Sequence, residues 1–384
     1  MGKARVIGTF ALAMMLSTCG TPPTSSSVIK TTERTYAQKQ IIAPMRSRAI
    51  EGTLRSYSLP NNLQGIQTDA PARALPDRLI RHFKPMPAMR LAEVSRGKGA
   101  FVFYSFAPTS PIYWAKMSPQ VIVNRAQTAG LKYLEIRLGY SNWLQIAQGS
   151  QQEWFNHLLN SAHRHGIRVI GWIIPYVNNQ SAQTIQTSLA GDWQVAYYLV
   201  HYKTSKGGQL SGLAMDLELG PLYFDGNTTA LGEYVKGVRA MVGPGYPLIA
   251  IVPDPARTGP TSVIGQSHYY PYNVVAHFSN VLQPMAYWHE YYVHDDFDYT
   301  NSYVRNFISQ AILTTRQQAR VSSIAINLAL QFYGNSTVGY PSVQEENNAL
   351  VSANTDGAIG VAAFQWHTLT AAYWDVLSQF RWKP

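Results

Sequence analysis

From Ala100 to the C-terminus, apolar segments of strand length alternate with segments of helical periodicity, and eight strand candidates occur in this order. The strand candidates are continuously apolar, which is typical of parallel strands covered by helices. Eight such units without a break in composition predict an α/β fold, a closed (β/α)8 barrel of the TIM type. An open doubly wound sheet is the alternative, but it favours a glycine-rich phosphate turn after its first strand, and SFAPTSP at that place is not one.

Two carboxylates end the fourth predicted strand, in the segment GLAMDLELGP. In barrels of this type the active-site residues lie at the C-terminal ends of the strands. Residues i and i+2 of a strand face the same side, about 6.5 to 7 Å apart along the chain. We therefore predict that the side chains of Asp216 and Glu218 both point into the mouth of the barrel.

Two acids at this spacing oppose each other's ionisation, so the pKa of one of them is raised. A protonated acid beside an ionised one is what the cleavage of a glycosidic bond requires, because one group protonates the leaving oxygen and the other stabilises charge near the anomeric carbon. A structural ion pair between Glu218 and Arg137 of another strand is the alternative.

The segment SGLAMDLE resembles the fourth-strand signature of chitinase-type family 18 glycoside hydrolases, Asp-Gly-x-Asp-x-Asp-x-Glu. Gly212, Asp216 and Glu218 match this signature. Ser211 and Ala214 stand where the family has its first two aspartates, so the resemblance is to a divergent member. It implies that Glu218 is the catalytic acid and that Asp216 orients the N-acetyl group of the substrate.

Two later segments resemble the same family. QPMAYW is similar to its sixth strand, where Tyr287 matches the tyrosine that holds the acetamido oxygen and Trp288 replaces an aspartate. GVAAFQWH is similar to its eighth strand, where Trp366 matches the tryptophan under the bound sugar. The resemblance implies substrate-assisted hydrolysis of polysaccharides with N-acetylamino sugars, either chitin-like or peptidoglycan. The chain also resembles family 25 lysozymes, which carry an Asp-x-Glu at the end of a strand. The aspartate that those lysozymes have in an early strand is missing from the first predicted strand, FVFYSFAP.

Other polar and aromatic residues at predicted strand ends are candidates for substrate binding. With the two tryptophans above, they are Trp172, Tyr176, Asp254, Gln283 and Gln365. Asp254 has the alternative role of capping the following helix. A carbohydrate-binding barrel without turnover, similar to a lectin, is the alternative function.

We expect neither a cofactor nor a metal. His163 and His165 are two positions apart on a predicted helix and face different sides. The segment HEYYVHDDFDY after the sixth strand carries acids and histidines that suit a cation, and we interpret it as a solvated loop at the rim. Cysteine nucleophilic catalysis is excluded because Cys19 is the only cysteine.

The first 19 residues are typical of an export signal. Lys3 and Arg5 precede an apolar run, Val6 to Leu16, that is too short to span a membrane. The sequence LSTC, which ends at Cys19, resembles the lipobox of bacterial lipoproteins. The resemblance implies that Cys19 carries lipid and holds an exported protein at the membrane of a bacterial cell surface, with plain secretion as the alternative. We expect the protein to be a monomer.

Residues 20–98 contain many Ser, Thr, Pro and basic residues and predict a linker or wrapping segment, so the barrel is expected to occupy residues 99–384. Residues 1–99 carry 15 Lys and Arg against 5 Asp and Glu, so the whole net charge of +10 lies there. Basic residues near a lipid anchor attract anionic head groups. Because the rest of the chain is neutral, we expect no binding of nucleic acid.

Overall fold

The computed structural model describes residues 88–146, 149–178, 180–255, 270–290, 299–334 and 339–383. Cys19, the export signal and the linker up to residue 87 lie outside the described residues. The strands are β1 Gly97–Val102, β2 Tyr133–Tyr140, β3 Trp143–Leu144, β4 Arg168–Ile174, β5 Gly212–Asp216, β6 Leu248–Val252, β7 Val281–Ala286, β8 Ala325–Gln331 and β9 Gly360–Phe364. The helices are α1 Ala88–Ala92, α2 Pro119–Thr128, α3 Gly149–Arg164, α4 Ala182–His201, α5 Thr228–Val242, α6 Tyr272–Phe278, α7 Asn301–Ala319, α8 Val343–Thr355 and α9 Ala371–Gln379.

Eight of the strands are parallel and close into a barrel, which confirms the predicted (β/α)8 fold. The order is β1-β9-β8-β7-β6-β5-β4-β2, and β1 also pairs with β2, so the sheet has no open edge between its first and last strands. Gly99 pairs with Tyr133 on one side of β1, and Gly97 pairs with Gly360 on the other. The short strand β3, which was not predicted, pairs antiparallel with the end of β2.

The helices bury the faces that their sequence periodicity predicts. In α3, Trp154, Phe155, Leu158, Leu159 and Ala162 are all buried. Their spacing of three and four residues places them on one side of the helix, and this side packs on the barrel. No helix in the described part of the chain is long and apolar enough to cross a membrane.

Residues just before β1 belong to the barrel, although the sequence analysis assigned them to the linker. The side chain of Asn327 donates to the carbonyl oxygen of Ser95 (2.7 Å), and Arg168 Nη2 donates to that of Arg96 (2.7 Å). Leu91 and Val94 are buried. Residues of this stretch thus contact the barrel strands, and the first strand begins at Gly97.

Lys98 joins the first strand to the last helix. Its buried ammonium group donates to the carbonyl oxygens of Ala129 (2.9 Å), Leu377 and Phe380 (2.8 Å). Burial lowers the pKa of Lys98 to about 8, so the group needs these acceptors to remain charged.

Candidate active site

Asp216 is the last residue of β5, and Glu218 lies two residues beyond the end of the strand. The predicted strand was longer than the observed one. Ala214 pairs with Trp172 of β4 and with Ile249 of β6, and the alternation of side chains places Ala214 and Asp216 on the inner face of the barrel. Asp216 is 4% exposed and Glu218 is 6% exposed, so both carboxyls are buried at the mouth, the C-terminal end of the barrel strands.

The pKa of Asp216 is raised well above its ordinary value. Burial is the main cause, and the nearby charge of Glu218 adds to it. The indole N–H of Trp172 faces Asp216 and offsets part of this rise, without the alignment of a full hydrogen bond, and the charge of Glu135 raises the pKa further. The surroundings of Asp216 therefore favour its protonated form.

Glu218 is a partly protonated acid at neutral pH. Burial raises its pKa to about 7, and the nearby phenol of Tyr223 limits this rise. The charge of Glu290 acts in the same direction as burial. A carboxyl that still carries its proton near pH 7 is suited to donate it to a leaving oxygen.

Glu290 is a third acid of the site, and sequence reasoning had assigned it to a solvated rim loop. It follows β7, is 2% exposed and accepts a hydrogen bond from the Tyr333 hydroxyl. Burial raises its pKa to about 7. The solvated interpretation is therefore wrong for Glu290, while residues 291–298 of that segment lie outside the described residues.

Glu135 of β2 brings a fourth acid into the barrel interior. It is fully buried, and its Oε1 accepts a hydrogen bond from Gln283 Nε2 (2.9 Å), which also donates to Asn327 Oδ1 (2.9 Å). Burial raises the pKa of Glu135 to about 8. Ala214 leaves Asp216 without a second acid on its own strand, and Glu135 supplies one from β2.

Tyr287 belongs to an aromatic lining near the carboxyls. It is 4% exposed, and its ring centre lies 5.4 Å from that of Tyr333 and 5.5 Å from that of Phe364. Phe364 lies 6.2 Å from Trp172, which approaches Asp216. The structure thus brings together two predicted site residues, Tyr287 and Trp172, with Phe364, which the sequence analysis did not select.

Trp366 and Trp288, two predicted sugar contacts, are placed differently. Trp366 follows β9 and packs edge-on against Trp374 of α9, with ring centres 4.7 Å apart. Trp288 is fully buried and its Nε1 donates to Glu345 Oε2 (2.8 Å). Both tryptophans therefore have partners within the protein, whereas alternation along β9 turns Phe364 inward.

Of the other predicted contacts, Tyr176 is at the mouth and Gln283 is below it. Tyr176 is half-buried and stacks on Tyr140, with ring centres 6.4 Å apart. Gln283 is fully buried and is held by Glu135 and Asn327, so it supports the interior and does not face a ligand.

Asp254 and Gln365 are also buried. Asp254, beyond β6, is fully buried, and its charge raises the pKa of Tyr272 after the larger effect of burial. The helix that Asp254 was alternatively expected to cap falls in residues 256–269, outside the described residues. Gln365 is 3% exposed, and its backbone N–H donates to Thr368 Oγ1 (3.4 Å).

The alternative ion pair between Glu218 and Arg137 is absent. The ion pairs within the described ranges are Arg96 with Glu93 and His289 with Glu345. In the same residues, no group of three histidines, cysteines or acids is arranged to hold a metal ion.

Comparison with known proteins finds similarity in structure only. No protein-family model matches the chain, and no curated protein matches it in sequence. The C-terminal domain of a putative chitinase from Desulfitobacterium hafniense superposes with a TM-score of 0.50 at 13% identity, covering 74% of this chain and 99% of that one. A chitinase from Chromobacterium violaceum gives the same score and identity over 74% and 98% of the two chains.

The spore cortex-lytic enzyme SleL of Bacillus cereus superposes with a TM-score of 0.52 at 12% identity, over 75% of each chain. At identities this low, the superpositions show a common fold. The chain therefore has the barrel fold of chitinase-like glycoside hydrolases, as the motif resemblance implied.

Proposed function

We propose that this protein is an exported glycoside hydrolase that cleaves polysaccharides containing N-acetylamino sugars. The observation that carries the proposal is the buried pair Asp216 and Glu218 at the mouth of the barrel, with the pKa of Glu218 raised to about 7 by burial. A proton donor in this position matches the acid of the signature that SGLAMDLE resembles. The chitinase fold of the structural relatives supports the same reaction class.

In the proposed mechanism, Glu218 gives its proton to the glycosidic oxygen and the leaving sugar departs as an alcohol. The acetamido carbonyl of the substrate attacks the anomeric carbon and forms the new bond, so the protein needs no nucleophile of its own. Asp216 and Tyr287 orient and polarise the acetamido group. Water then opens the cyclic intermediate, and Glu218 takes back a proton from that water.

The charge state of Asp216 in this mechanism is set by neighbours on other strands. Burial, Glu218 and Glu135 all raise its pKa, which favours the protonated carboxyl. In that form the hydroxyl of Asp216 can donate to the acetamido oxygen, and its carbonyl oxygen can accept from the acetamido N–H.

A sugar-binding barrel without turnover is the second candidate, and the specific observation in its favour is Ala214 on the inner face of β5. Loss of an acid from the catalytic strand lowers turnover without removing the aromatic lining. The two candidates differ in whether product is released.

The experiment that tests the proposal compares the full-length protein with the variant Glu218→Gln on chitooligosaccharides and on peptidoglycan. We expect new reducing ends with the wild type and a rate reduced about 10²- to 10⁴-fold in the variant, because general-acid catalysis is worth this factor. Glu233→Gln, which changes an exposed glutamate of α5, is the matched control and should retain full activity. Binding without product in both proteins would select the sugar-binding candidate, and equal cleavage by both would remove Glu218 from the mechanism.

Export and lipid attachment at Cys19 are part of the same proposal. They are supported by the LSTC segment and by the basic residues that follow it. The test is metabolic labelling with a fatty-acid analogue: wild type should incorporate the label, and Cys19→Ser should not.

A further inference from the structure

Arg137 is a buried cation that the proposed chemistry does not use. It lies on β2, is 7% exposed, and its guanidinium carbon stands 3.7 Å from the ring centre of Phe103. Its Nε donates to Gln145 Oε1 (3.2 Å) and its Nη2 donates to the carbonyl oxygen of Tyr104 (3.0 Å). Among the residues that the structure describes, the third nitrogen, Nη1, has no hydrogen-bond partner and no carboxylate lies within ion-pair distance.

A second arginine, the half-buried Arg239, shows how this barrel satisfies such a group when its role is structural. All three guanidinium nitrogens of Arg239 donate hydrogen bonds, at 2.8 to 2.9 Å. Their acceptors are the carbonyl oxygens of Phe278, Gly243 and Tyr246 and the side chain of Asn280. Burial lowers the pKa of both arginines to about 10, so both are charged at neutral pH. Arg137 differs from Arg239 in having one nitrogen left to donate.

A buried charge without a counter-ion is costly, and an anion that arrived from outside would reduce this cost. The face of Phe103 offsets only part of this cost, because an aromatic ring does not replace a carboxylate. The planar guanidinium group is the side chain best suited to a carboxylate, which accepts its N–H groups in the same plane.

The surroundings of Arg137 suit a sugar. The hydroxyl oxygens of Tyr140 and Tyr223 lie within electrostatic range of the guanidinium group. Tyr223 also affects the pKa of Glu218, so Arg137 and the proposed proton donor share this tyrosine as a neighbour. Tyr140 and Tyr176 are half-buried and stack on each other at the mouth, where aromatic faces are available to a sugar ring.

We propose that Arg137, Tyr140 and Tyr176 form a subsite for a sugar ring that carries a carboxylate. The inference rests on the proposed function, since it places this ring next to the bond that Glu218 protonates. It narrows the substrate class from all polysaccharides with N-acetylamino sugars to those that also carry carboxylates. Two sources share this chemistry: a uronic acid, and the lactyl carboxylate of a muramic acid.

The first experiment measures binding to the full-length Glu218→Gln protein by calorimetry. The probes are oligosaccharides of alternating N-acetylglucosamine and glucuronic acid, peptide-free glycan strands that contain muramic acid, and a copy of each in which the carboxylates are converted to amides. We expect the carboxylate form of one source to bind at least about tenfold more tightly than its amide, as a hydrogen bond to a charged group contributes this much. Equal affinity for acid and amide in both sources would overturn the subsite.

Variants of Arg137 then separate recognition from structure. In Arg137→Gln the ratio of acid to amide affinity should fall towards one, and Arg137→Lys should retain part of it. The matched control is Arg125→Gln, which removes an exposed arginine of α2. The guanidinium carbon of Arg125 lies 5.2 Å from the ring centre of Trp374, so this arginine also stands over an aromatic ring. We expect this control to keep the wild-type ratio.

If Arg137 only supports the fold, its replacement weakens binding of every glycan equally and leaves the ratio unchanged, which would refute the proposal. A retained acid preference in a wild-type protein that releases no product supports the subsite while it refutes the proposed hydrolysis. The two inferences are therefore tested separately.

Discussion

The phenol of Tyr223 faces the carboxyl of Glu218 and lowers its pKa. Burial and the charge of Glu290 raise this pKa, and the phenol opposes the rise because its O–H dipole favours the ionised form. The acidity of Glu218 is thus set by a residue of the loop after β5, close to the acid in sequence.

Replacing Tyr223 by Phe should shift the pH dependence of hydrolysis. Without the phenol, Glu218 keeps its proton to a higher pH, so the alkaline limb of kcat/KM moves to higher pH. The measurement is a pH–rate profile with a chitooligosaccharide. Tyr202→Phe, which removes a phenol that donates to Asn156 away from the mouth, is the control and should leave the limb in place.

Replacing Glu135 by Gln should stabilise the protein more at pH 8 than at pH 5. Burial raises the pKa of Glu135 from its ordinary value of 4.5 to about 8. At pH values between 4.5 and about 8, the folded state therefore holds a proton that the unfolded state has lost. Wild-type stability therefore falls as the pH rises through this range, and the amide removes that loss while still accepting from Gln283. The Tm at pH 8 should rise by about 2 to 4 °C for each kcal/mol gained; an equal change at both pH values would contradict the prediction.

Replacing Phe364 by Ala should weaken sugar binding up to about tenfold, because one aromatic contact is worth about 0.5 to 1.5 kcal/mol. Trp366→Phe should change the affinity little, since Trp366 packs against Trp374. Titration of both variants with the same glycan decides which of the two aromatics faces the ligand. A larger loss for Trp366→Phe would restore the assignment made from the motif.

Replacing Glu345 by Ala should lower the free energy of unfolding by about 2 to 4 kcal/mol. Its carboxyl accepts from Trp288 Nε1 (2.8 Å) and, through Oε1, from the backbone of Ser342 (3.0 Å), and it contacts His289 Nε2 (2.6 Å). Truncation leaves the buried indole N–H without an acceptor and removes the Glu345 half of the capping box of α8, while Ser342 still caps the helix. Urea unfolding measures the loss, and Glu345→Gln, which keeps an acceptor, should lose less.

The same glutamate gives a pH dependence of stability. Burial opposes ionisation, but the hydrogen bonds from His289, Ser342 and Trp288 prevail and hold the pKa of Glu345 below its ordinary value. Its contribution is therefore present above the unfolded pKa and is lost as the pH falls through the folded one. The wild type and the alanine variant should converge in stability at low pH.

The order of strands and helices could be predicted because each element carries its own signal. The buried face of α3 and the start of α2 at Pro119 follow from apolar spacing and from a proline at the first helical position. The location of Asp216 and Glu218 at the mouth follows from the rule that such barrels place polar residues at strand ends.

The composition of the site depends on contacts between strands, and these have no local signal. Glu135 reaches Asp216 from β2, and Glu290 is buried although its neighbours in sequence are polar. The motif placed Trp366 under the sugar, but β9 ends at Phe364, and beyond that residue the alternation of a strand no longer decides the direction of a side chain.

The contacts of Lys98 have a consequence for how the chain is completed during synthesis. Its ammonium group is coordinated by carbonyl oxygens near the C-terminal end of the chain, and β1 finds its second neighbour only in β9. When only the residues up to β8 have emerged from the ribosome, one edge of β1 is unpaired and Lys98 lacks its C-terminal acceptors. The barrel therefore closes between β1 and β9 late in synthesis, and a chain that terminates before Phe380 should aggregate.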